Sequence, residues 1–306
     1  CLMAPTLAGK TVLVTGGAGF IGSHIAERLG PDNNVVILDD FSSGTRAHCP
    51  DEAAVVEGDV RDRQTVVNAM DGADLVFHEA AIVSVAQSVD APMASHAVNL
   101  DGTLNVLEAA RQADARVVFA SSAAIYGAPE SLPVTEGAPK EPASPYGLEK
   151  LSGDHYCRLY ADLYDLPTVA LRYFNVYGPR QSGGEYAGAL TAFTNQARSG
   201  GPLTVHGDGG QTRDFVNVAD VVQANLLAAT TDATGEAFNV GTGTGTTIRD
   251  VAHLIRDQID PAVEVTATDP RPGDIRDSVA DVSKARNRLG YEPSVSLRDG
   301  LGAYLA

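Results

Sequence analysis

Tyr146 and Lys150 stand four residues apart in Ser144-Pro145-Tyr146-Gly147-Leu148-Glu149-Lys150, the spacing that puts two side chains on one face of a helix. Ser144 reads as the N-cap of that helix and Pro145 as its first residue, where a missing N–H costs nothing. An unperturbed tyrosine titrates near pH ~10, too high for a base at neutral pH. A lysine ammonium one turn away and the positive end of the helix dipole both favour the phenolate, so Tyr146 is a candidate proton shuttle with a lowered pKa. A half-buried tyrosine beside a solvated lysine is the plainer reading of the same spacing. The pair carries chemistry only if the chain also supplies a cofactor and a second hydroxyl.

Both have candidates. In Thr15-Gly16-Gly17-Ala18-Gly19-Phe20-Ile21-Gly22 an apolar run ends and a helical pattern opens. Gly16, Gly19 and Gly22 permit a tight turn, close approach to a pyrophosphate and close helix–strand packing, with the phosphates on helix N–H groups. Asp39, ending the next apolar run, is placed to bind an adenosine ribose diol and to repel a 2′-phosphate. The following Asp40-Phe41-Ser42-Ser43 offers no basic residue, which favours NAD over NADP. Asp59-Val60 is a candidate for the adenine edge. The competing reading is a glycine turn with a capping aspartate. For the hydroxyl, Ser122 leaves the run Arg116–Ala120 at its C-terminal end, where open α/β sheets bind ligands. Ser121 is its rival, and either alone reads as a loop-capping serine. A hydroxyl, a proton shuttle and an ammonium beside a nicotinamide are the set required for hydride transfer at a carbinol carbon.

Short apolar runs alternate with helical patterns throughout the first half of the chain. Strands are expected at Thr11–Thr15, Val35–Asp39, Ala53–Glu57, Leu75–His78, Arg116–Ala120 and Thr168–Arg172. Helices are expected at Gly19–Leu29, Arg63–Met70, Pro92–Ala113 and from Ser144. Strands joined by helical crossovers predict an α/β fold, a doubly wound parallel sheet with helices on both faces. Beyond Tyr173, loops over Gly178–Glu185 and Gly200–Thr212 flank a helix near Ala187–Arg198. Asp220–Thr230 and Ala237–Val240 read as a helix and strand returning to the sheet. The expected organisation is a nucleotide domain over residues 1–172 with 214–240, and a smaller α+β lobe over 173–213 and 241–306.

Composition narrows the function classes. At 44% hydrophobic, 306 residues can bury a large core. The net charge is −17, from 22 basic and 39 acidic residues, and only Lys10, Lys140, Lys150 and Lys284 are lysines. Such a surface argues against nucleic acid or anionic membrane as a partner. It fits either a salt-rich cytoplasm or an ordinary acidic enzyme rich in arginine. Cys1, Cys49 and Cys157 show no paired or metal-ligand spacing, and the seven histidines form no ligand cluster, so neither disulfides nor a metal are expected. No apolar run approaches a membrane span and no signal pattern is present, which gives the expectation of a cytoplasmic protein.

With these residues in place, the chain resembles the extended short-chain dehydrogenases/reductases over almost its whole length, specifically the nucleotide-sugar 4-epimerases. The resemblance rests on TGGAGFIG at 15–22, Asp39, GDVRD at 58–62, HEAA at 78–81, NLDGTLNVLEAA at 99–110 and SSAAIYG at 121–127. YGLEK at 146–150, RYFNVYGPRQ at 172–181, GDGGQTRDF at 207–215 and RPGD at 271–274 complete it. It implies a Rossmann-type sheet with a C-terminal substrate lobe, and Ser122, Tyr146 and Lys150 as the catalytic set. NAD would be held by Gly16, Gly19, Phe20, Ile21, Gly22, Asp39, Asp40, Ser43, Asp59 and Val60. Ala80, Ala81, Asn99, Tyr146, Lys150 and Tyr173 would complete that site. A UDP-sugar would meet Ser122, Asn175, Ala189, His206, Arg213, Arg271, Asp274 and Ser278. Arg213, Arg271 and Asn175 would take the diphosphate, His206 the uracil and Asp274 a ribose hydroxyl. Ser278 falls where the family gates the C2 side of the sugar, and a small residue there accompanies acceptance of N-acetylated sugars. The family's reaction removes the C4-hydroxyl proton and hydride, lets the 4-keto sugar rotate, and returns the hydride to its other face. Members commonly dimerise through a four-helix bundle, here matched by Pro92–Ala113 and Ser144–Tyr164.

Departures from the pattern restrict the reading. Sugar-nucleotide dehydratases and decarboxylases of the family carry carboxylates just after the catalytic hydroxyl, where this chain has Ala123 and Ala124. Galactose-pathway epimerases often carry a lysine near the cofactor where this chain has Val83. Three alternatives stay open: a net nucleotide-sugar reductase or dehydrogenase, a UDP-glucuronate-type epimerase, and a catalytically silent nucleotide-sensing module.

Overall fold

The computed structural model describes residues 7–181, 188–271 and 273–305. Cys1, Pro272 and parts of the expected 178–185 loop and 187–198 helix lie outside the described residues. In chain order the first elements are β1 (Thr11–Thr15), α1 (Phe20–Leu29), β2 (Asn34–Asp39), β3 (Ala54–Glu57), α2 (Arg63–Ala69) and β4 (Leu75–His78). Next come α3 (Val85–Asp90), α4 (Pro92–His96), α5 (Gly102–Ala113), β5 (Arg116–Ser122), α6 (Pro145–Tyr164) and β6 (Thr168–Tyr173). The second half holds β7 (Asn175–Tyr177), α7 (Ala189–Arg198), β8 (Leu203–His206), β9 (Thr212–Arg213), β10 (Phe215–Asn217), α8 (Val218–Thr230) and β11 (Glu236–Val240). It ends with β12 (Thr246–Thr247), α9 (Ile248–Ile259), β13 (Val265–Thr268), β14 (Asp277–Ser278), α10 (Ser283–Leu289) and α11 (Leu297–Leu305).

The main sheet has seven strands in the order β11-β6-β5-β4-β1-β2-β3, every pair parallel. β1 and β4 are neighbours although β2 and β3 intervene in sequence, so the strand order reverses there. In open parallel sheets that reversal point opens a ligand crevice at the C-terminal strand ends. The apolar runs explain the strands: buried on both faces, they need no alternation. Ile25 and Leu29 of α1 join Val221 and Leu226 of α8 on one face, while Val66 of α2, Leu107 of α5 and Cys157 of α6 join the other. A third core unites Phe193 of α7, Leu203 of β8, Ile255 of α9 and Leu301 of α11. Ala280, Val282, Ala285 and Leu289 pack with the first core. Among the described residues no helix is long and apolar enough to cross a membrane.

One expected element is divided. Pro92–Ala113 reads as a single helix, but α4 and α5 are joined by a π-helical turn over Ala97–Asp101. The wider turn carries the side chain of Asn99 inward: its Oδ1 accepts from the Ile82 N–H at 2.8 Å, and its Nδ2 donates to Ile82 O at 3.0 Å and Glu149 Oε2 at 2.8 Å. The Asn99 carbonyl accepts from Thr103 Oγ1 at 2.7 Å. Single π turns mark functional sites more often than chance.

Candidate active site

β5 runs to Ser122, two residues beyond the apolar run that announces it. Successive strand residues point to opposite faces, and this separates the two rival serines. Ser121 is buried and donates to Asp154 Oδ2 at 3.1 Å. Ser122 turns the other way; its Oγ accepts from the Ala124 N–H at 3.1 Å and lies near enough to the Tyr146 phenol to act on its titration.

Tyr146 is placed by the start of α6. Ser144 Oγ accepts from the Gly147 N–H at 3.1 Å, Pro145 fills the first position, and the Tyr146 N–H donates to Ser88 Oγ at 3.1 Å. One turn on, Lys150 is 3% exposed, donates from Nζ to the Ala120 carbonyl at 2.7 Å and stands 5.0 Å from the Phe119 ring centre. The expected lowering of the Tyr146 pKa is overturned. Burial raises it, Glu79 and Glu149 add to the rise, and only the Ser122 hydrogen bond opposes them. The lysine head is bonded to the end of β5, while its own pKa is pulled by burial to about 8. The spacing puts both residues on one helix face but says nothing about how dry that face is.

Glu79, which the sequence reading does not single out, sits directly after β4 in this group. Tyr173, at the end of β6, donates to Glu79 Oε1 at 2.8 Å. Asn225 of α8 donates to the Tyr173 hydroxyl at 2.8 Å and to Val221 O at 2.9 Å. Burial pushes the Glu79 carboxyl up to about 7, opposed by the Tyr173 hydrogen bond and the Lys150 charge. The only signal in the sequence is a carboxylate within His78-Glu79-Ala80-Ala81, at the end of an apolar strand.

The glycine turn has the geometry of an anion cradle. Gly16 has φ +68°, and a Cβ there would lie 2.7 Å from the Ala80 nitrogen; one on Gly22 would collide with the Gly16 carbonyl. Gly19 is the N-cap of α1, with no side-chain cap on the first-turn N–H groups, which include those of Phe20, Ile21 and Gly22. Asp39 is 7% exposed; Oδ2 accepts from the Ala18 N–H at 2.9 Å and Oδ1 from the Phe41 N–H at 2.8 Å. It therefore braces the turn, and each oxygen keeps a further lone pair. These residues fit a dinucleotide: uncapped N–H groups for its phosphates and a carboxylate for its ribose diol. Asp40 and Ser43 are exposed beside Asp39. Asp59 is held below the usual carboxylate range by its hydrogen bond from Arg61. Val60 is buried, its carbonyl accepting from Asn105 Nδ2 at 3.0 Å. Ala81 follows Ala80 in the segment from Glu79 to Ser84 that joins β4 to α3.

The lobe holds a cavity of about 210 Å³ whose wall includes Asn175, Ala189, His206, Arg213, Arg271 and Asp274. Six of the expected substrate residues thus meet, from segments spread between β7 and the run after β13. Phe193, Gln196 and Gln211 share the wall; no motif announces Phe193 or Gln196, and Gln211 lies within the 207–215 motif without being singled out. Arg213 is paired with Asp274 through Nη2 and Oδ1 at 2.5 Å, and Gln211 Nε2 donates to Asp274 Oδ2 at 3.3 Å. His206 Nδ1 lies 3.1 Å from Asp269 O. Ser278 is in β14 beside Arg213 of β9, its carbonyl accepting from the Asp214 N–H at 2.9 Å. The cavity's wall does not include it, nor Ser122 and Tyr146.

A family model described as NAD dependent epimerase/dehydratase matches residues 12–241. The chain is 40% identical over 298 residues to UDP-glucose 4-epimerase of Mycolicibacterium smegmatis, covering 94% of this chain and 95% of that protein. The crystal structure of Thermus thermophilus UDP-glucose 4-epimerase in complex with NAD superposes with a TM-score of 0.89 at 40% identity, over 96% of this chain and 97% of that one. A UDP-N-acetylglucosamine 4-epimerase from Methanobrevibacter ruminantium, in complex with UDP-N-acetylmuramic acid, gives 0.93 at 34% identity, over 98% and 99%.

Proposed function

The chain belongs to the NAD dependent epimerase/dehydratase family, and from that membership we propose that it inverts C4 of UDP-hexoses. The hexoses are glucose and galactose together with their N-acetylated counterparts. The observation that carries this reading is the approach of Tyr146, at the start of α6, to Ser122 at the C-terminal end of β5, with Lys150 buried one turn on. The Gly16–Gly22 turn, α1 and Asp39 would hold NAD, which would supply reversible hydride acceptance at the sugar's C4. Tyr146 carries the C4-hydroxyl proton, directly or through Ser122. Lys150 supplies the positive charge nearest that exchange. The 3₁₀ turn Ala123–Tyr126 follows Ser122 without a carboxylate at 123 or 124, so nothing there assists loss of a substituent. Arg213 and Arg271 suit the diphosphate because a planar guanidinium binds two oxygens at once.

Product identification by mass spectrometry and NMR from a panel of UDP-hexoses tests the reaction. Interconversion of C4 epimers with no net absorbance change at 340 nm is the expected result; accumulation of NADH would instead support a dehydrogenase. The gate at Ser278 is tested on the same panel. Ser278→Tyr is expected to suppress turnover of the N-acetylated substrates about 10-fold or more beyond any loss on the plain ones, because overpacking a filled pocket costs ~1–3 kcal/mol. Equal loss on both classes removes Ser278 from the gate.

The active form we infer is a homodimer. Val89 and Met93 on α3 and α4, and Leu159 and Leu163 on α6, are exposed, Met93 at 80% and Leu163 at 66%. α3 and α4 pack on α6, and exposed apolar side chains on packed helices mark association surfaces. Light scattering is expected to give twice the chain mass at both low and multimolar salt, and Met93→Glu with Leu163→Glu to give monomers. A monomeric wild-type chain under both conditions disposes of the bundle.

A further inference from the structure

Asp214 is the one residue between β9 and β10, and its backbone serves two small sheets at once. Its N–H donates to Ser278 O at 2.9 Å, beside the β9–β14 pairing, and its carbonyl accepts from the Asn175 N–H at 3.0 Å, beside the β10–β7 pairing. Arg213 directly precedes it. Three residues expected to meet the UDP-sugar are therefore backbone neighbours of residue 214. Its side chain, 0% exposed, reaches the turn that follows β11 at the edge of the main sheet. Oδ1 accepts from the Thr242 N–H at 2.8 Å and from Thr242 Oγ1 at 2.7 Å. Oδ2 accepts from the Gly243 N–H at 2.9 Å and from the Ala280 N–H at 3.1 Å. The turn is shaped around this carboxylate: a Cβ on Gly241 would lie 2.6 Å from Asp214 Oδ2, and the buried Tyr291 donates to the Gly241 carbonyl at 2.9 Å.

We propose that Asp214 is a positioning residue for the diphosphate of the substrate. Its carboxylate fastens the strands that present Arg213 and Asn175 to the end of β11, and so fixes the diphosphate site relative to the main sheet. The assignment rests on the UDP-sugar reading of the lobe's cavity. Asp214, Gly241, Thr242, Gly243 and Ala280 are all absent from the described wall of that cavity, so the carboxylate acts on a ligand only through the residues it places. Its four hydrogen bonds go to the segments after β11 and β14, whereas Ser122, Tyr146 and Lys150 stand on β5 and α6. Losing the carboxylate should therefore fall on nucleotide affinity before it falls on the chemistry. An asparagine cannot replace it: whichever way the amide turns, its N–H₂ faces N–H groups that need an acceptor.

Asp214→Asn is tested with UDP alone as the probe, titrated by calorimetry into the NAD-loaded protein. UDP affinity is expected to fall about 10-fold or more and the KM for UDP-hexoses to rise in step, while kcat stays within about 3-fold. UDP affinity within about 2-fold of wild type, whether stability or kcat falls or not, would show a merely structural role and overturn the proposal. Should Asp214→Asn fail to fold, Thr242 gives the same reading. Thr242→Val loses the hydroxyl that donates to Asp214 and accepts from the Thr244 N–H, but keeps the backbone bond to Oδ1. It is expected to weaken UDP binding about 3-fold or more, whereas Thr242→Ser, which keeps the hydroxyl, should bind UDP as the wild type does. Equal UDP affinity in the valine and serine variants counts against Asp214. UDP binding needs no turnover, so the two readings separate. A wild-type chain that binds UDP, with the variants weakened, but leaves UDP-hexoses unchanged defeats the epimerase reading and keeps Asp214 in its role. A wild-type chain that does not bind UDP removes the role along with the site.

Discussion

Tyr146→Phe is expected to lower kcat about 10²–10⁴-fold, the range lost when a positioned proton-transfer group is removed, while UDP-hexose affinity stays within a few-fold. Phenylalanine keeps everything that places the residue. The Ser144 cap, Pro145 and the bond from the residue-146 N–H to Ser88 all use the backbone or other side chains. Only the hydroxyl beside Ser122 goes. The cations assigned to the diphosphate lie in the cavity formed by the lobe, whose wall does not contain residue 146. Binding by calorimetry should therefore be nearly unchanged, and single-turnover reduction of bound NAD by the sugar should slow as much as kcat does. A variant retaining a tenth or more of wild-type turnover would remove Tyr146 from the chemistry.

The parts of this molecule legible in its sequence are those that local rules determine. Each apolar run from Thr11 to Tyr173 became a parallel strand, because a strand buried on both faces leaves a continuous apolar signature, the half-exposed edge strand β3 excepted. The glycine turn was equally readable, since Gly16 at φ +68° under the Ala80 backbone admits no side chain. What escaped depends on the third dimension. The periodicity of Pro92–Ala113 continues through the π turn, and only the inward bonds of Asn99 to Ile82 and Glu149 reveal why the helix widens. The spacing of Tyr146 and Lys150 gave their shared face, but the direction of the Tyr146 shift was set by burial and by Glu79, a residue distant in sequence. Ser121 and Ser122 could be told apart only once β5 was seen to include both. Most of the cavity wall was readable through resemblance, whereas Phe193 and Gln196 look like any amphipathic helix positions.

Asp154→Ala is expected to destabilise the fold by about 3–5 kcal/mol, the cost of leaving a buried charge without its partner. Asp154 and Arg172 are 0% and 2% exposed. Arg172 donates from Nε to Asp154 Oδ2 at 2.9 Å and from Nη2 to Oδ1 at 3.0 Å, the paired geometry in which Arg–carboxylate bonds are strongest. Its third nitrogen donates to Tyr126 Oη and the Glu136 carbonyl, and Tyr126 donates onward to Asn239. Removing Asp154 strands a guanidinium that cannot lose its proton, and frees Ser121 as well. Asp154 lies on α6 one helical turn beyond Lys150, and through Ser121 and Arg172 it fastens that helix to β5 and β6, one residue before Ser122 and one before Tyr173. The loss of stability should therefore come with a fall in kcat, because the strand ends bearing Ser122 and Tyr173 lose their common anchor to the catalytic helix. The chain contains no tryptophan, so urea unfolding is best followed by circular dichroism. The paired variant Asp154→Leu with Arg172→Met should recover most of the stability, since an apolar pair of similar volume carries no desolvation cost. It should not recover full activity if the ion pair aligns the strand ends. An Asp154→Ala chain unfolding within 1 kcal/mol of wild type would mean that water compensates the charge, and that the anchor lies elsewhere.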